Sequence, residues 1–141
     1  MSGDYFQRGT PGGRPQKPAR WVDTATGVSP IELLPGLVFR PVVGTNLALN
    51  VVRFEPHTEA PLHAHREEQI TFVLEGELEF EVDGEVRALR PGMAVEIPPH
   101  AMHGARTGAG TCLEIDVFSP PRQGLLDAMA RLAQAGEVEG A

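Results

Sequence analysis

A single cysteine, Cys112, leaves this 141-residue chain no partner for an internal disulfide, which excludes a scaffold stapled by bridges. Lysine is almost absent too, with Lys17 alone, and the formal charge is -7. Nucleic-acid binding needs clustered cations, which the chain offers only in its first 20 residues, so no nucleic-acid partner is expected. No apolar run approaches the roughly 20 residues that cross a bilayer. Residues 1–20 hold only Tyr5 and Phe6 as large apolar side chains, too few for the apolar core of a secretory leader. The expectation is a cytoplasmic protein with no membrane partner, and 15.2 kDa allows one domain.

Turn formers are plentiful. With 16 glycines and 13 prolines the chain suits an all-β domain of short strands, a barrel or a sandwich, and not a helical bundle. Arg8, Arg14, Lys17 and Arg20 stand among glycines and prolines, too polar and broken to face a core, so residues 1–20 are expected to form a flexible, disordered arm. Ile31, Leu33 and Leu34 make a short approach to the Pro35-Gly36 turn, after which Leu37 to Val43 and Leu47 to Phe54 are β-rich. Alternation is clearest where Glu77, Glu79 and Glu81 interleave with Leu78, Phe80 and Val82, a half-buried strand with a wet acidic face. Asp83-Gly84 turns it into a hairpin of either two or three loop residues. Ala94 to Ile97 and Thr111 to Phe118 bring the expectation to about eight strands. In the last of these, Thr111, Leu113, Ile115 and Val117 share one face and Cys112, Glu114, Asp116 and Phe118 the other. Periodicity alone places Glu114 and Asp116 in water. The only helical pattern is Leu125, Leu126, Met129 and Leu132, a stripe expected to pack on the core, with a lid or dimer contact as the alternative.

All five histidines, His57, His63, His65, His100 and His103, fall within one third of the chain. His63 and His65, one residue apart on a strand, point to the same face at a spacing suited to one metal ion. Gln69 keeps that parity, and His103 follows the tight Ile97-Pro98-Pro99 segment, from which it can close a set of three imidazoles and an amide. Glu67 or Glu68 replaces Gln69 in this set if the strand carries a bulge. His57 reads as a loop residue, His100 as a rim residue and Cys112 as small packing.

The stretch from Pro61 to Gly76, containing His63, His65 and Gln69, resembles the first motif of the cupin superfamily, and Gly92 to His103 resembles the second. Fifteen residues separate Gly76 from Gly92, as in compact members. The pattern departs at His57 and His100, where glycine is usual, at Thr107, where asparagine is frequent, and at Gln69, where glutamate is frequent. The resemblance covers about Trp21 to Arg122 and implies an antiparallel two-sheet jelly roll, the double-stranded β-helix of a cupin barrel. The expected organisation is an arm at 1–20, the barrel at 21–122, and a short C-terminal helix and tail at 123–141. It implies one divalent ion, zinc, iron, nickel or manganese, on His63, His65, Gln69 and His103.

Asp116-Val-Phe118-Ser-Pro-Pro-Arg122 is similar to the small cupins of pectin degradation, the uronate-linearising proteins. That resemblance assigns Asp116 as general acid or base, Arg122 as clamp for a substrate carboxylate and Phe118 as a wall orienting the ring. Three neutral imidazoles and an amide leave a bound cation nearly its full charge, which suits polarising a carbonyl. The expected function is a non-oxidative lyase, isomerase or cyclase acting on a small oxygen-rich carboxylate such as an unsaturated uronate. The alternatives are an iron- or manganese-dependent dioxygenase and a non-enzymatic cupin that binds a sugar or small ligand. Ile70, Phe72 and Leu74 face away from the ligands yet are large and apolar, so either the edge of the second sheet or another subunit covers them, and the resemblance implies a homodimer.

Overall fold

The computed structural model describes residues 5–6 and 13–140, with side chains as far as residue 136. Half of the expected arm, 1–4 and 7–12, lies outside the described residues. Ten strands and one helix follow in order: β1 (Ile31–Leu34), β2 (Leu37–Val43), β3 (Ala48–Phe54), β4 (Glu59–His63), β5 (Glu68–Gly76), β6 (Leu78–Val82), β7 (Glu85–Leu89), β8 (Ala94–Ile97), β9 (His103–Arg106), β10 (Cys112–Ser119) and α1 (Gln123–Gly140). They build two antiparallel sheets, one ordered β1-β2-β3-β10-β5-β8 and the other β4-β9-β6-β7, in the jelly-roll arrangement expected.

Two more strands occur than the roughly eight expected. The short strands β1, β4 and β9 give too few alternating positions for periodicity to register, and Pro61 interrupts the pattern of β4. Gly76 ends β5 ahead of the acidic alternation of β6, and its φ is +79°, where an added Cβ would collide with the Thr111 carbonyl oxygen. The Asp83-Gly84 hairpin has two loop residues, pairing Val82 with Glu85, and both loop residues have positive φ, the backbone whose twist suits a tight hairpin.

Between the sheets Phe54, Val73, Leu78, Ile97 and Phe118 form the centre of the core. Helix α1 closes one side with Leu125 and Ala128, both buried, while Leu132 stays 38% exposed. The apolar stripe therefore packs on the core only through its first turns, and Ala128 belongs to it.

Strand β10 corrects the sequence reading. It lies in the middle of the larger sheet, paired with β3 on one side and β5 on the other. Its register sets Cys112, Glu114 and Phe118 inward beside Phe54, Val52 and Ala48, and all three are buried. Leu113, Ile115 and Val117 face outward. The acids are inside because the neighbours' inward residues decide which face of a central strand meets the core. On the outer face of β5, Ile70, Phe72 and Leu74 are exposed, at 46%, 39% and 40%.

Candidate metal centre

His63 ends β4 and pairs across the sheet with His103, which begins β9. Next to it Gly104 lets the two strands approach closely, since a Cβ there would meet the Ala60 carbonyl oxygen at 2.9 Å. His65 does not share a strand with His63. It sits in the turn between β4 and β5, and its backbone C=O accepts the N–H of His100 at 2.8 Å. The ring centroids lie 4.2 Å (His63 to His103), 4.9 Å (His65 to His103) and 5.7 Å (His63 to His65) apart. One nitrogen from each ring falls within 4.8 Å of the others. His57 and His100 are exposed turn residues with φ of 54° and 71° and stay outside the cluster.

Hydrogen bonds dictate what the cluster presents. Each Nδ1 faces a backbone carbonyl: Pro61 at 2.7 Å for His63, Glu67 at 2.9 Å for His65 and Ala101 at 2.8 Å for His103. A carbonyl oxygen only accepts, so each Nδ1 carries the proton and each Nε2 a lone pair. Burial lowers the pKa of His63 below its usual value and that of His103 to about 4, overcoming the backbone bonds that raise them. Both rings are therefore neutral at pH 7.

Gln69 Oε1 faces Nε2 of His65 at 3.0 Å and Nε2 of His103 at 3.2 Å. Its Nε2 donates to Thr71 Oγ1 at 2.9 Å and to Asp116 Oδ1 at 3.3 Å, so the amide has its oxygen toward the histidines. Lone pairs meet there with no proton between them, a repulsive arrangement that a cation relieves. The donor set of three imidazoles and an amide oxygen thus fits a divalent metal, with carbonyls orienting every imidazole from behind.

Glu67, the alternative to Gln69, is used elsewhere. Its Oε2 accepts the Gln123 N–H at 2.9 Å, a carboxylate at the start of α1 where the helix dipole favours one. Its Oε1 lies 3.7 Å from His65 Nδ1, on the side of the ring away from the cluster. Burial pushes this carboxyl up, but hydrogen bonds from Gln123 and its own backbone, with His65 and Arg66, bring the net shift below the usual value. Glu68 is exposed.

Asp116 lies beside the amide. Its Oδ1 also accepts the Thr71 hydroxyl at 2.7 Å. Arg122 precedes α1, and its carbonyl receives the N–H groups of Leu125 and Leu126, while its guanidinium returns toward the histidines and Asp116. Burial lowers the pKa of this guanidinium, and Asp116 and Glu67 oppose the shift. Phe118 is 1% exposed, with its ring 5.7 Å from that of His65 and 5.8 Å below the Arg122 guanidinium. It supports both residues from behind, and a cavity lined by His63, Gln69, His103, Asp116 and Arg122 does not reach it.

Two polar residues around the site, Thr71 and Asn50, escaped sequence reasoning, and a third, Glu114, was expected in water. Thr71 follows Gln69 by two positions on the same face, which is the signal that finds it. Asn50 interrupts an apolar run and is fully buried opposite Asp116. Glu114 is buried between two other inward residues, Cys112 and Asp116. Burial first, then Asp116, raises its pKa well above the carboxylate range. Burial also raises the Cys112 thiol to about 11, which makes it inert packing.

Residues 50–118 match the family model of the cupin domain. Curated proteins give no match. Among solved structures, an RmlC-like cupin from Shewanella frigidimarina is 28% identical, covering 79% of this chain and 99% of its own with a TM-score of 0.71. The polyketide cyclase RemF from Streptomyces resistomycificus is 26% identical over 74% of this chain and 82% of its own, TM-score 0.65. KdgF from a Halomonas species is 30% identical, covering 77% of this chain and 99% of its own, TM-score 0.70. Two facing sheets, a histidine cluster between the two motifs and these matches agree: the chain belongs to the cupin family.

Proposed function

We propose that this cupin is a metal-dependent, non-oxidative lyase, isomerase or cyclase that moves a proton on a small carboxylate bearing a carbonyl or hemiacetal. His63, His65, Gln69 and His103 hold the ion, zinc, iron, nickel or manganese. When bound, it supplies Lewis acidity toward a substrate oxygen. One observation carries the reading: the Asp116 carboxylate receives the amide whose oxygen faces the histidines, so a proton-transfer group adjoins the ion's position. Likeness to KdgF and to a polyketide cyclase, with the resemblance of the segment from Asp116 to Arg122 to the uronate-linearising cupins, supports chemistry without a redox step.

For an unsaturated uronate, Arg122 binds the carboxylate through its fork of donors. Asp116 takes the anomeric hydroxyl proton as the ring C–O bond at that carbon breaks, leaving an aldehyde and an enolate. Delivery of that same proton to the enolate's neighbouring carbon gives the ketone, so atoms and electrons balance within the substrate. Phe118 holds Arg122 in place from below.

The test is anaerobic turnover of an unsaturated uronate by metal-loaded protein, followed by NMR, with Asp116→Asn and Arg122→Ala compared. Ring opening in the native chain is expected, with kcat lowered about 100-fold or more in Asp116→Asn and KM raised in Arg122→Ala. In a parallel aerobic assay, oxygen uptake coupled to substrate loss would instead establish a dioxygenase, and binding without turnover a ligand-holding cupin. We also propose that a second copy of the chain covers the outer face of β5.

A further inference from the structure

The cavity beside the histidines is about 260 Å³ and runs between the sheets as far as Leu34 and Phe54. Strand register grades its polarity. Gln69 pairs with Phe118 at the histidine end, and Thr71, Asp116 and Asn50 form the next row. Beyond them come Val73, Glu114, Val52 and Phe39, and then Gly76, Cys112, Phe54 and Leu37. On the facing sheet, the pair His63 and His103 gives way to Ala60, Ala105 and Phe80. Polar groups thus crowd one end, and the far half is walled by Phe39, Phe54, Phe80 and Leu37.

One polar atom stands in that far half. Glu114 is 3% exposed among apolar neighbours, and its Oε2 has no hydrogen-bond partner. Burial first, and then the adjacent Asp116, raises the pKa of this acid above its usual value. Oε2 is thus an unpartnered buried atom of a side chain that lines the cavity. An unpartnered buried acceptor is costly unless a ligand supplies a donor.

We propose that the substrate has an aromatic or comparably flat apolar body lying between the sheets, and a phenol or enol O–H that Glu114 Oε2 accepts. This rests on the reading above, which places the carboxylate head at Arg122 and the ion. The volume suits the body, because an apolar cavity of about 150 Å³ already accepts benzene. A saturated sugar ring carries hydroxyls around its rim, and in the apolar half only Glu114 receives one. Each hydroxyl buried without a partner lowers affinity by roughly ten-fold. Leu33 and Leu34, 40% and 38% exposed, line the cavity at the edge strand β1, so a longer apolar tail leaves there.

Titration calorimetry of the metal-loaded protein with three probes tests this: 3-phenylpropanoate, 3-(3-hydroxyphenyl)propanoate and galacturonate. The aromatic acids are expected to bind at least ten-fold more tightly than galacturonate, and the phenol several-fold more tightly than its parent. Glu114→Leu should abolish the phenol's advantage while Glu114→Gln, which keeps an acceptor, retains it. Leu34→Asp, a change at an exposed position, should lower the ratio of aromatic to sugar affinity even if the Glu114 variants fold poorly. Galacturonate binding as tightly as the aromatic acids, with Arg122→Ala weakening all three, would overturn the aromatic substrate and leave the proposed function standing. Binding by none of the three, or binding indifferent to Arg122→Ala, would overturn both.

Discussion

Gln69 and Asp116 are joined by a hydrogen bond of 3.3 Å from the Gln69 amide nitrogen, while the oxygen of the same amide faces two histidines. One side chain therefore connects the ion's position with the proton-transfer group. A glutamate has no N–H with which to do this, and its charge would meet that of Asp116 across the same gap.

Replacing Gln69 separates the two tasks. Gln69→Ala is expected to lower bound metal by an order of magnitude or more, by elemental analysis after dialysis against a fixed metal buffer. Gln69→Glu should keep the metal but repel the Asp116 carboxylate, moving the acidic limb of the pH-rate profile to higher pH and lowering kcat about 10- to 100-fold. Unchanged metal content in Gln69→Ala would remove Gln69 from the ligands.

Acid should unfold the metal-free protein through its histidines. His103, held at about 4 by burial, is neutral in the fold down to that pH, whereas the unfolded chain protonates it near 6.5. The unfolded state then binds the extra proton, so stability is complete above about pH 6.5 and falls as pH drops toward 4, by about 3 kcal/mol at the limit. Urea midpoints across this range check it, and His103→Gln should flatten the curve.

Glu114 acts in the opposite direction. Its raised pKa means that the fold keeps a proton that the unfolded chain releases above its ordinary value. The stability it contributes is full below that ordinary value and is lost as pH rises through the folded one. Glu114→Gln cannot ionise, so its stability relative to the native chain should increase from pH 4 to pH 9. Parallel thermal unfolding of the two proteins measures this, and parallel pH curves would contradict it.

The outer face of β5 should decide assembly. Sedimentation is expected to find twice the 15.2 kDa chain mass for the native protein at micromolar concentration. Phe72→Glu, at a side chain 39% exposed, should give the single-chain mass without loss of thermal stability, because the change adds a charge to an apolar contact. A native protein already at the single-chain mass would exclude the homodimer.

The strands with a single wet face were legible because alternation of Glu79 and Glu81 with Leu78 and Phe80 allows one orientation only. The Asp83-Gly84 turn was legible for a similarly local reason. His63, His65, Gln69 and His103 were legible as a set through their spacing and the motifs around them, although His65 occupies a turn and owes its position to backbone contacts. The hydrogen bonds to Pro61, Glu67 and Ala101 were not, since carbonyl direction leaves no mark on residue type.

What the sequence by itself determined is the local content of this cupin: turns at Gly and Asp-Gly, strand periodicity and a concentration of metal-ligating side chains. Only the tertiary structure decided which face of β10 is inside. Leu113, Ile115 and Val117 make the more apolar face, yet the strand turns Glu114 and Asp116 to the interior because it pairs with β3 and β5 at once. Both neighbours already commit their inward rows, so register across three strands outweighs the preference of one. That choice buries an acid within an apolar wall and brings Asp116 against Gln69, from residues 47 positions apart in the chain.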